Sequence, residues 1–309
     1  MRTTHRPGFV LCSIMLASLV IGFACRRNPT PARDRALIRQ ELEWRAKRLQ
    51  RLKAPDGWLT LVGLDWLEPG INAAGSAPSC RVMLPGAKPH AGDFILGPGS
   101  KVTFQPAPDS GVTIGGQPAG RIELRTDVSG TPDILHAGRI EFYVIERSGR
   151  FAVRVKDPQS PVRTHFRGLR TFPVDLAYRV EATFTPFAVP RKIAVPTMIG
   201  TSSTMLAPGL VHFTLEGRAL TLLPLVEKPH DPTFFFVFRD ATSGHETYGG
   251  GRFLDTPAPR GGHLILDFNR AYNPPCAFTH FATCPLPPEG NELPIPIYAG
   301  EKAPPQHYD

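Results

Sequence analysis

Residues 267–302 read DFNRAYNPPCAFTHFATCPLPPEGNELPIPIYAGEK, a segment rich in proline, aromatic and amide side chains. Six prolines precede Ile295, and proline interrupts both helices and the interior of sheets. The segment therefore predicts an ordered loop. Aromatic side chains stabilise a protein only when they leave water. We expect the loop to pack on a β-rich body through its four rings, Phe268, Tyr272, Phe278 and Phe281.

The whole chain has the composition of a β protein. Its 309 residues include 34 prolines and 29 glycines, and frequent turn residues between short apolar runs favour strands over helices. The sequence predicts an all-β fold of antiparallel sheets, arranged as a sandwich or a barrel, with one N-terminal amphipathic helix. The predicted strands cover residues 81–84, 94–96, 102–104, 121–125, 140–146, 178–184, 193–195, 210–215 and 220–223, and one more starts at residue 234.

The run ERSGRFAVRVKD (residues 146–157) predicts a hairpin, because Ser148-Gly149 separates two alternating strands. Side chains of a strand alternate between its two faces. Arg150, Arg154 and Lys156 therefore share one face of the second strand. This charged face either binds an anion or is simply solvated.

Residues 1–25 have the form of a secretory signal, because Arg2 and Arg6 precede an apolar run that ends in small residues. Cys25 follows directly and closes an imperfect lipoprotein box. Either Cys25 is lipidated, or the signal is cleaved after Ala24. Both alternatives predict secretion across the inner membrane. Lipidation adds an anchor in the cell envelope, in the periplasm or at the outer membrane.

Residues 26–56 predict a basic amphipathic helix that starts at Thr30-Pro31 and ends before Pro55. The helix either lies on a membrane surface or docks on the β body. Spacings of three and four residues define the stripe that faces its partner. That stripe consists of Ile38, Leu42, Arg45, Leu49 and Leu52.

The formal net charge of +8 is unevenly distributed. Residues 26–53 carry 10 basic and 3 acidic side chains, whereas residues 54–309 carry 23 basic and 24 acidic ones. A nucleic-acid-binding domain carries a basic stripe on its folded body, and a nearly neutral body gives no support for that class. We expect no nucleic-acid partner. The basic excess lies beside the predicted anchor, so a membrane with anionic head groups is the expected partner.

The loop DATSGHETYGGGR (residues 240–252) is the first candidate site. Glycine brings backbone N–H groups close to an anion, and arginine adds a planar fork for carboxylate or phosphate. The alternative is a tight turn with Arg252 in a structural ion pair. If the loop binds an anionic small molecule or a glycan, its ligand-binding residues are Tyr248, Gly250, Gly251 and Arg252.

Segment 267–302 adds further candidates for ligand binding, namely Asn269, Arg270, Asn273 and Asn291. Asp240, Asp267 and Glu301 end or follow strands, and two facing carboxylates can act as general acid and base on a glycoside or an ester. If the protein is an enzyme, we expect a hydrolase with these three catalytic residues. Alternatively, the polar side chains only satisfy the backbone of their own loops.

Cys276 and Cys284 lie eight residues apart in a chain that is expected to reach an oxidising compartment. This arrangement predicts a disulfide. A metal site is the rival interpretation, but convincing third and fourth ligands are missing from the sequence. We expect no metal and no cofactor.

Three blocks of sequence carry a family resemblance: GWLTLVGLDWLEPG (residues 57–70), DATSGHETYGGGRFL (residues 240–254), and the run from DFNRAYNPPCAFT to AGEK (residues 267–302). Through them, residues 41–302 resemble the bacterial and archaeal domain of unknown function 1684 family. The resemblance implies a family without an assigned activity, so it transfers no catalytic role to any residue.

The sequence predicts a signal (1–25), a basic helix (26–56), a β-rich domain (57–302) and a tail (303–309). The β-rich domain is either one unit or two subdomains, 57–130 and 131–302. Two functions stay open. One is a cell-envelope protein whose loops 240–252 and 267–301 form a polar or anionic ligand site, with or without hydrolysis. The other is a non-catalytic binding or scaffolding lipoprotein with structural polar loops.

Overall fold

The computed structural model describes residues 31–305 as a mostly β chain with one long helix near its N-terminus. The predicted signal, Cys25 and the predicted helix cap Thr30 lie outside these residues. The helices are α1 (Pro31–Leu52) and α2 (Pro161–Thr164). Single turns of 3₁₀ helix lie at Trp58–Thr60, Asp127–Ser129, Leu176–Tyr178, Phe268–Arg270 and Pro275–Ala277.

Seventeen strands lie within residues 31–305. Their pairings within the sheets are antiparallel apart from that of β2 with β3, which confirms the predicted fold class. The strands are β1 (Leu61–Trp66), β2 (Gly70–Gly75), β3 (Val82–Met83), β4 (Gly92–Gly97), β5 (Lys101–Pro106), β6 (Val112–Ile114), β7 (Gln117–Pro118), β8 (Ile122–Glu123), β9 (Leu135–Ala137), β10 (Ile140–Arg147), β11 (Arg150–Lys156), β12 (Arg179–Pro196), β13 (Ser202–Leu215), β14 (Arg218–Leu222), β15 (Thr233–Phe238), β16 (Arg252–Pro257) and β17 (His263–Asp267).

The first half of the chain forms two sheets around one core. A six-stranded sheet has the order β1-β11-β10-β9-β6-β7, and a five-stranded sheet has the order β3-β2-β4-β5-β8. Phe94 and Phe104 of the second sheet meet Phe142 of the first, with ring centroids 6.1 and 6.2 Å away. We call this unit the first body. Its sandwich-like core depends on inward side chains from both sheets.

The second half forms the second body, with a four-stranded sheet of order β14-β13-β12-β17 and the two-stranded sheet β15-β16. Phe268 lies at its centre, 5.6 Å from the rings of both Phe213 and Phe238. Residues 293–299 run over this core. Alternate side chains of these residues are buried, as period-two geometry requires: Leu293, Ile295, Ile297 and Ala299.

The six-stranded sheet contains strands from both sides of residue 130, because β1, β6 and β7 join β9, β10 and β11. A boundary at residue 130 would cut through this sheet. The two main cores instead change over between Val155 and Tyr178. This places the transition between the bodies after β11.

The predicted hairpin is confirmed, with β10 paired to β11 and Arg147 opposite Arg150. Its turn holds Ser148 at φ 53° and Gly149 at φ 74°, which is the left-handed geometry that a two-residue hairpin turn requires.

Helix α1 docks on the second body through polar side chains. Glu41 and Arg48 are buried, whereas Leu42, expected in the contact stripe, is 54% exposed. The prediction was wrong for Leu42, whereas Leu52 is buried and Leu49 packs on the same cluster. The buried residues of the helix are Glu41, Arg48 and Leu52. Arg45 adds hydrogen bonds of 3.1 Å to the Thr171 hydroxyl and 2.9 Å to the Phe172 carbonyl. No helix within residues 31–305 is both long and apolar enough to cross a bilayer.

Candidate functional site

Arg252 starts β16 and is fully buried. Its Nη2 donates to Asp240 Oδ2 at 2.7 Å and to the Ile297 carbonyl at 3.1 Å, and its Nη1 donates to the Ala299 carbonyl. Burial lowers the pKa of Arg252, and the Asp240 carboxylate opposes that shift. The guanidinium therefore holds residues 297–299 against β16. This agrees with the alternative prediction that Arg252 forms a structural ion pair.

The second oxygen of Asp240 is also occupied. Oδ1 accepts from the Thr242 N–H at 2.9 Å, from the Thr242 hydroxyl at 2.6 Å and from the Ile297 N–H at 3.1 Å. A carboxylate that is buried and saturated in this way stabilises its loop.

The glycine run before Arg252 is required by packing. Gly251 has φ +94°, and a Cβ on it would lie 2.8 Å from the Phe238 carbonyl oxygen. A Cβ on Gly250 would lie 2.4 Å from the Tyr248 ring. The Tyr248 hydroxyl donates to the Cys276 carbonyl at 3.1 Å. These residues thus link the two polar loops to each other.

Glu301 follows residues 297–299 in the chain and is also buried. Its Oε1 accepts from Arg48 Nε at 3.0 Å, and its Oε2 accepts from the Asn273 N–H at 2.8 Å. Burial raises the pKa of Glu301, and Arg48 opposes this effect. The Asn273 amide donates to the Lys302 carbonyl at 2.7 Å. Helix α1 and the end of the chain are therefore fastened together.

Asp267 caps a 3₁₀ turn, because its Oδ1 accepts from the Asn269 N–H at 3.2 Å. Asn269 is buried and exchanges two hydrogen bonds with the backbone of Asp175, at 3.0 and 2.8 Å. Arg270 donates to Glu41 on α1 at 2.9 Å. All three predicted site residues bind protein groups that hold neighbouring segments in place.

Asn291 is fully buried. Its Oδ1 accepts from the Leu223 N–H at 2.7 Å, and its Nδ2 donates to the carbonyls of Leu223 and Val237, both at 2.9 Å. The amide thus substitutes for a strand between β14 and β15.

The predicted catalytic carboxylates do not converge on one cavity. Asp240, Asp267 and Glu301 line three different surface pockets. Glu301 lies near enough to Arg252 to influence its pKa, but each carboxylate is engaged with protein groups. Their scattered positions favour the structural interpretation of these side chains.

Cys276 and Cys284 are both free and buried, so the predicted disulfide is not formed in this structure. The Cys276 N–H donates to Cys284 Sγ at 3.2 Å. A hydrogen bond from Cys284 lowers the pKa of Cys276, and the same contact raises the pKa of Cys284. Both thiols are therefore held in proximity as a hydrogen-bonded pair.

A cavity of about 620 Å³ lies where the two bodies meet, and we call it the junction cavity. The first body contributes Trp58, Arg147 and Arg154, and segment 267–302 contributes Tyr272, Pro275, Ala282, Thr283, Cys284 and Pro285. The apolar wall from the second body includes Met205, Leu225, Val226, Phe235 and Phe253. Within residues 31–305, no group of three or more His, Cys, Asp or Glu side chains is arranged to hold a metal ion.

Two guanidinium groups meet at the Thr283 hydroxyl in the wall of this cavity. Arg147 Nε donates to Thr283 Oγ1 at 3.1 Å, and Arg154 Nη2 does so at 3.4 Å. Arg147 also pairs with Asp127 at 2.8 Å. Arg154 is 3% exposed, lies 5.5 Å from the centre of the Trp58 ring and pairs with no carboxylate within residues 31–305. Arg154 therefore carries a positive charge that no ion-pair partner balances.

Asp255 lines another part of the cavity wall. It accepts a hydrogen bond of 2.8 Å from the Tyr272 hydroxyl. Asp255 is exposed to solvent, yet desolvation by the neighbouring protein raises its pKa, and the bond from Tyr272 opposes this shift. Burial and the nearby Asp255 raise the pKa of Tyr272, which keeps its hydroxyl protonated as a donor.

Sequence reasoning missed most residues of the junction cavity. Arg154 was an exception, since the alternation of β11 placed it on a charged face, and Tyr272 and Cys284 belong to the predicted loop 267–302. Asp255 lies in β16, whose sequence RFLDTP shows no clear alternation. Its place in the wall depends on pairing with β15, which the local sequence does not indicate.

Comparison with known proteins gives a family without an assigned activity. The solution NMR structure of an uncharacterized protein of Haloarcula marismortui is 35% identical, covering 47% of this chain and 81% of that one, with a TM-score of 0.41. No curated protein matches the chain. A family model described as "Protein of unknown function (DUF1684)" matches residues 164–302. This agrees with the resemblance seen in the sequence blocks, and the chain belongs to the DUF1684 family.

Proposed function

We propose that the protein is a cell-envelope binding protein that holds a small organic anion in the junction cavity. The anionic group binds Arg154 and Arg147, and an apolar part of the ligand lies against the second body. The supporting observation is the pair of guanidiniums at Thr283, of which only Arg147 has a carboxylate partner.

A buried guanidinium without an anionic partner is costly, because it has lost water without gaining a counter-charge. An incoming carboxylate or phosphate supplies that charge and can accept two parallel hydrogen bonds from the guanidinium. Arg154 therefore makes binding of an anion more favourable than binding of a neutral analogue.

The remaining wall indicates an apolar ligand body. Phe235, Phe253 and Tyr272 form an edge-to-face series with centroid separations of 4.8 and 5.7 Å. A volume of about 620 Å³ lies within the usual range for small-molecule sites, which are mostly apolar with a few placed polar groups. A carboxylate or phosphate with a chain or ring of moderate size fits this description.

Binding without chemistry is the better supported alternative. The candidate catalytic residues Asp240, Asp267 and Glu301 lie outside the junction cavity and hold other parts of the protein. The ligand site proposed here retains one part of the sequence prediction, since segment 267–302 supplies Tyr272, Thr283 and Cys284 to the wall.

The binding test compares two arginines on the same face of β11. Isothermal titration uses octanoate and octyl phosphate, with octanol as the neutral probe. Arg154→Met should weaken binding of both anions at least about tenfold, because a charge-assisted hydrogen bond is removed. Arg150→Met is the matched control, since Arg150 is exposed and stacks on Trp66 at 4.4 Å outside the cavity. Absence of anion binding to the wild type, or equal losses in both variants, would contradict the proposal.

The envelope location has a separate test. Lipidated Cys25 would hold the protein on a membrane, and exposed basic residues of α1 such as Arg35, Arg39 and Lys47 would favour anionic head groups. Cys25→Ser should remove lipid labelling and shift the protein from the membrane fraction to the soluble fraction. Cys12→Ser, a change within the apolar run of the predicted signal, is the matched control. Unchanged fractionation of Cys25→Ser would contradict anchoring by lipid.

A further inference from the structure

We infer that the ligand of the junction cavity is a zwitterion, with an ammonium or similar cationic group that binds Asp255. This inference rests on the proposed anion site at Arg154 and adds a second charge to the ligand. It follows from the contacts of the acidic side chains in the cavity wall.

Asp255 is a carboxylate without a counter-charge. It makes no ion pair within residues 31–305, and the Tyr272 hydroxyl is its hydrogen-bond donor, at 2.8 Å. Arg48 and Arg51 act on it only through longer-range attraction. One donor leaves most of the acceptor capacity of a carboxylate unused, so Asp255 can accept hydrogen bonds from an ammonium group.

The other acidic residues of the wall are less suitable. Asp231 accepts from the backbone N–H groups of Glu227 and Lys228, at 3.2 and 3.4 Å, and so closes a turn. Glu227 is exposed, and water stabilises its charge. Asp255 is also exposed to solvent, but it differs because it lies opposite Phe235 on the paired strands and accepts from Tyr272 in the cavity wall. Desolvation on that side raises the pKa of Asp255.

Asp255 and Arg154 do not neutralise each other, since no ion pair joins them. They belong to different bodies, Arg154 to β11 and Asp255 to β16. Phe253 lies two residues before Asp255 on β16, and Phe235 lies opposite Asp255 on β15. Their rings form an apolar wall beside the carboxylate. A ligand with two opposite charges separated by an apolar spacer satisfies both groups at once.

Linear compounds that differ only in their end groups test this inference. The probes are ω-amino carboxylates of six to ten carbons, with the fatty acid and the alkylamine of each length. If Asp255 binds the ammonium group, the amino acid gains a second charge-assisted contact. In a cavity that binds only the anion, that ammonium would instead lose water without compensation. We therefore expect the ω-amino carboxylate of the best length to bind wild-type protein at least about tenfold more tightly than the matching fatty acid.

Asp255→Asn should remove this preference and leave fatty-acid binding within about twofold of wild type, because the anion site is unchanged. Glu123→Gln changes net charge equally on the exposed strand β8 and should keep the preference. Thermal melts verify that each variant is folded.

Three outcomes would overturn the inference. If the fatty acid binds the wild type as tightly as its ω-amino analogue, the ligand needs no cationic group and the proposed anion site stands. If Glu227→Gln removes the preference and Asp255→Asn keeps it, the assignment to Asp255 is wrong. If neither the fatty acids nor the amino acids bind, the anion site fails and the inference fails with it.

Discussion

Arg252 and Arg154 are both buried arginines, and they differ in what surrounds them. Arg252 is 0% exposed and Arg154 is 3% exposed, and the Nε atom of each lacks a hydrogen-bond partner among residues 31–305. Arg252 has the Asp240 carboxylate and two backbone carbonyls. Arg154 makes one long hydrogen bond, to the Thr283 hydroxyl. It also lies near the Trp58 ring and lines the junction cavity.

This difference separates an arginine that stabilises the fold from one that is available to a ligand. Arg252 looks like a binding residue in the sequence, because glycines precede it. Arg154 lies in an ordinary strand. Whether a buried arginine has a carboxylate partner, and whether it adjoins a cavity, therefore indicates its role better than the neighbouring sequence does.

The largest expected effect tests the comparison directly. Arg252→Ala should lower the free energy of unfolding by about 3–5 kcal/mol, because it leaves the Asp240 carboxylate buried without a counter-charge. Arg154→Met should change it by about 1 kcal/mol or less, since no carboxylate loses its partner. Urea unfolding of both variants measures the two values. Similar losses would show that the arginines have the same role.

The second prediction extends the comparison to the amides. Asn291→Ala should lower the free energy of unfolding by about 1–3 kcal/mol, because the amide of Asn291 satisfies three buried backbone groups. Glu292→Ala is the adjacent control, because Glu292 is exposed and exposed ion pairs contribute little. If Asn291 serves a ligand instead, its variant would lose binding and keep its stability.

The third prediction concerns the glycines. Gly251→Ala should destabilise the protein by about 1–3 kcal/mol, because a Cβ at φ +94° would press on the Phe238 carbonyl. Gly249→Ala should cost less, since its new Cβ would meet Gly244 Cα at 3.5 Å, an ordinary contact. Thermal unfolding compares the two. Equal melting temperatures would show that the turn can relax.

The smallest expected effect is on the pH dependence of stability, to which Asp255 and Asp157 contribute with opposite signs. Desolvation raises the pKa of Asp255 above its ordinary 3.8, so the native protein binds this proton more tightly than the unfolded chain does. Stability from this group therefore falls as pH rises above that value. A hydrogen bond from Arg139 lowers the pKa of Asp157, so its stabilising contribution is present above 3.8 and is lost as pH falls.

Unfolding between about pH 3 and pH 7 checks this prediction. Relative to wild type, Asp255→Asn should become more stable as pH rises, and Asp157→Asn should become less stable. Parallel curves for the two variants would contradict the opposite environments of these carboxyls.

The sequence predicted those features that short-range rules control. Ser148-Gly149 determined a hairpin turn, and helix α1 ends at Leu52, before Pro55. The contact stripe of α1 was predicted in part, since Leu52 is buried and Leu49 packs beside it. Glu41 and Arg48 were missed because apolar spacing cannot show that a β body presents polar partners for them. The junction cavity was missed because its wall combines residues from Trp58 to Pro285, which come together only when both bodies have formed.

The pairing of Arg48 with Glu301 spans 253 positions of the chain. A ribosome makes α1 well before it makes residue 301. During this interval Glu41 and Arg48 have no partners outside α1, because Arg270, Asn273 and Glu301 have not yet been made. Closure of this contact therefore reports that the chain has been made as far as residue 301, and chains truncated before that residue should hold α1 less firmly and expose it to protease.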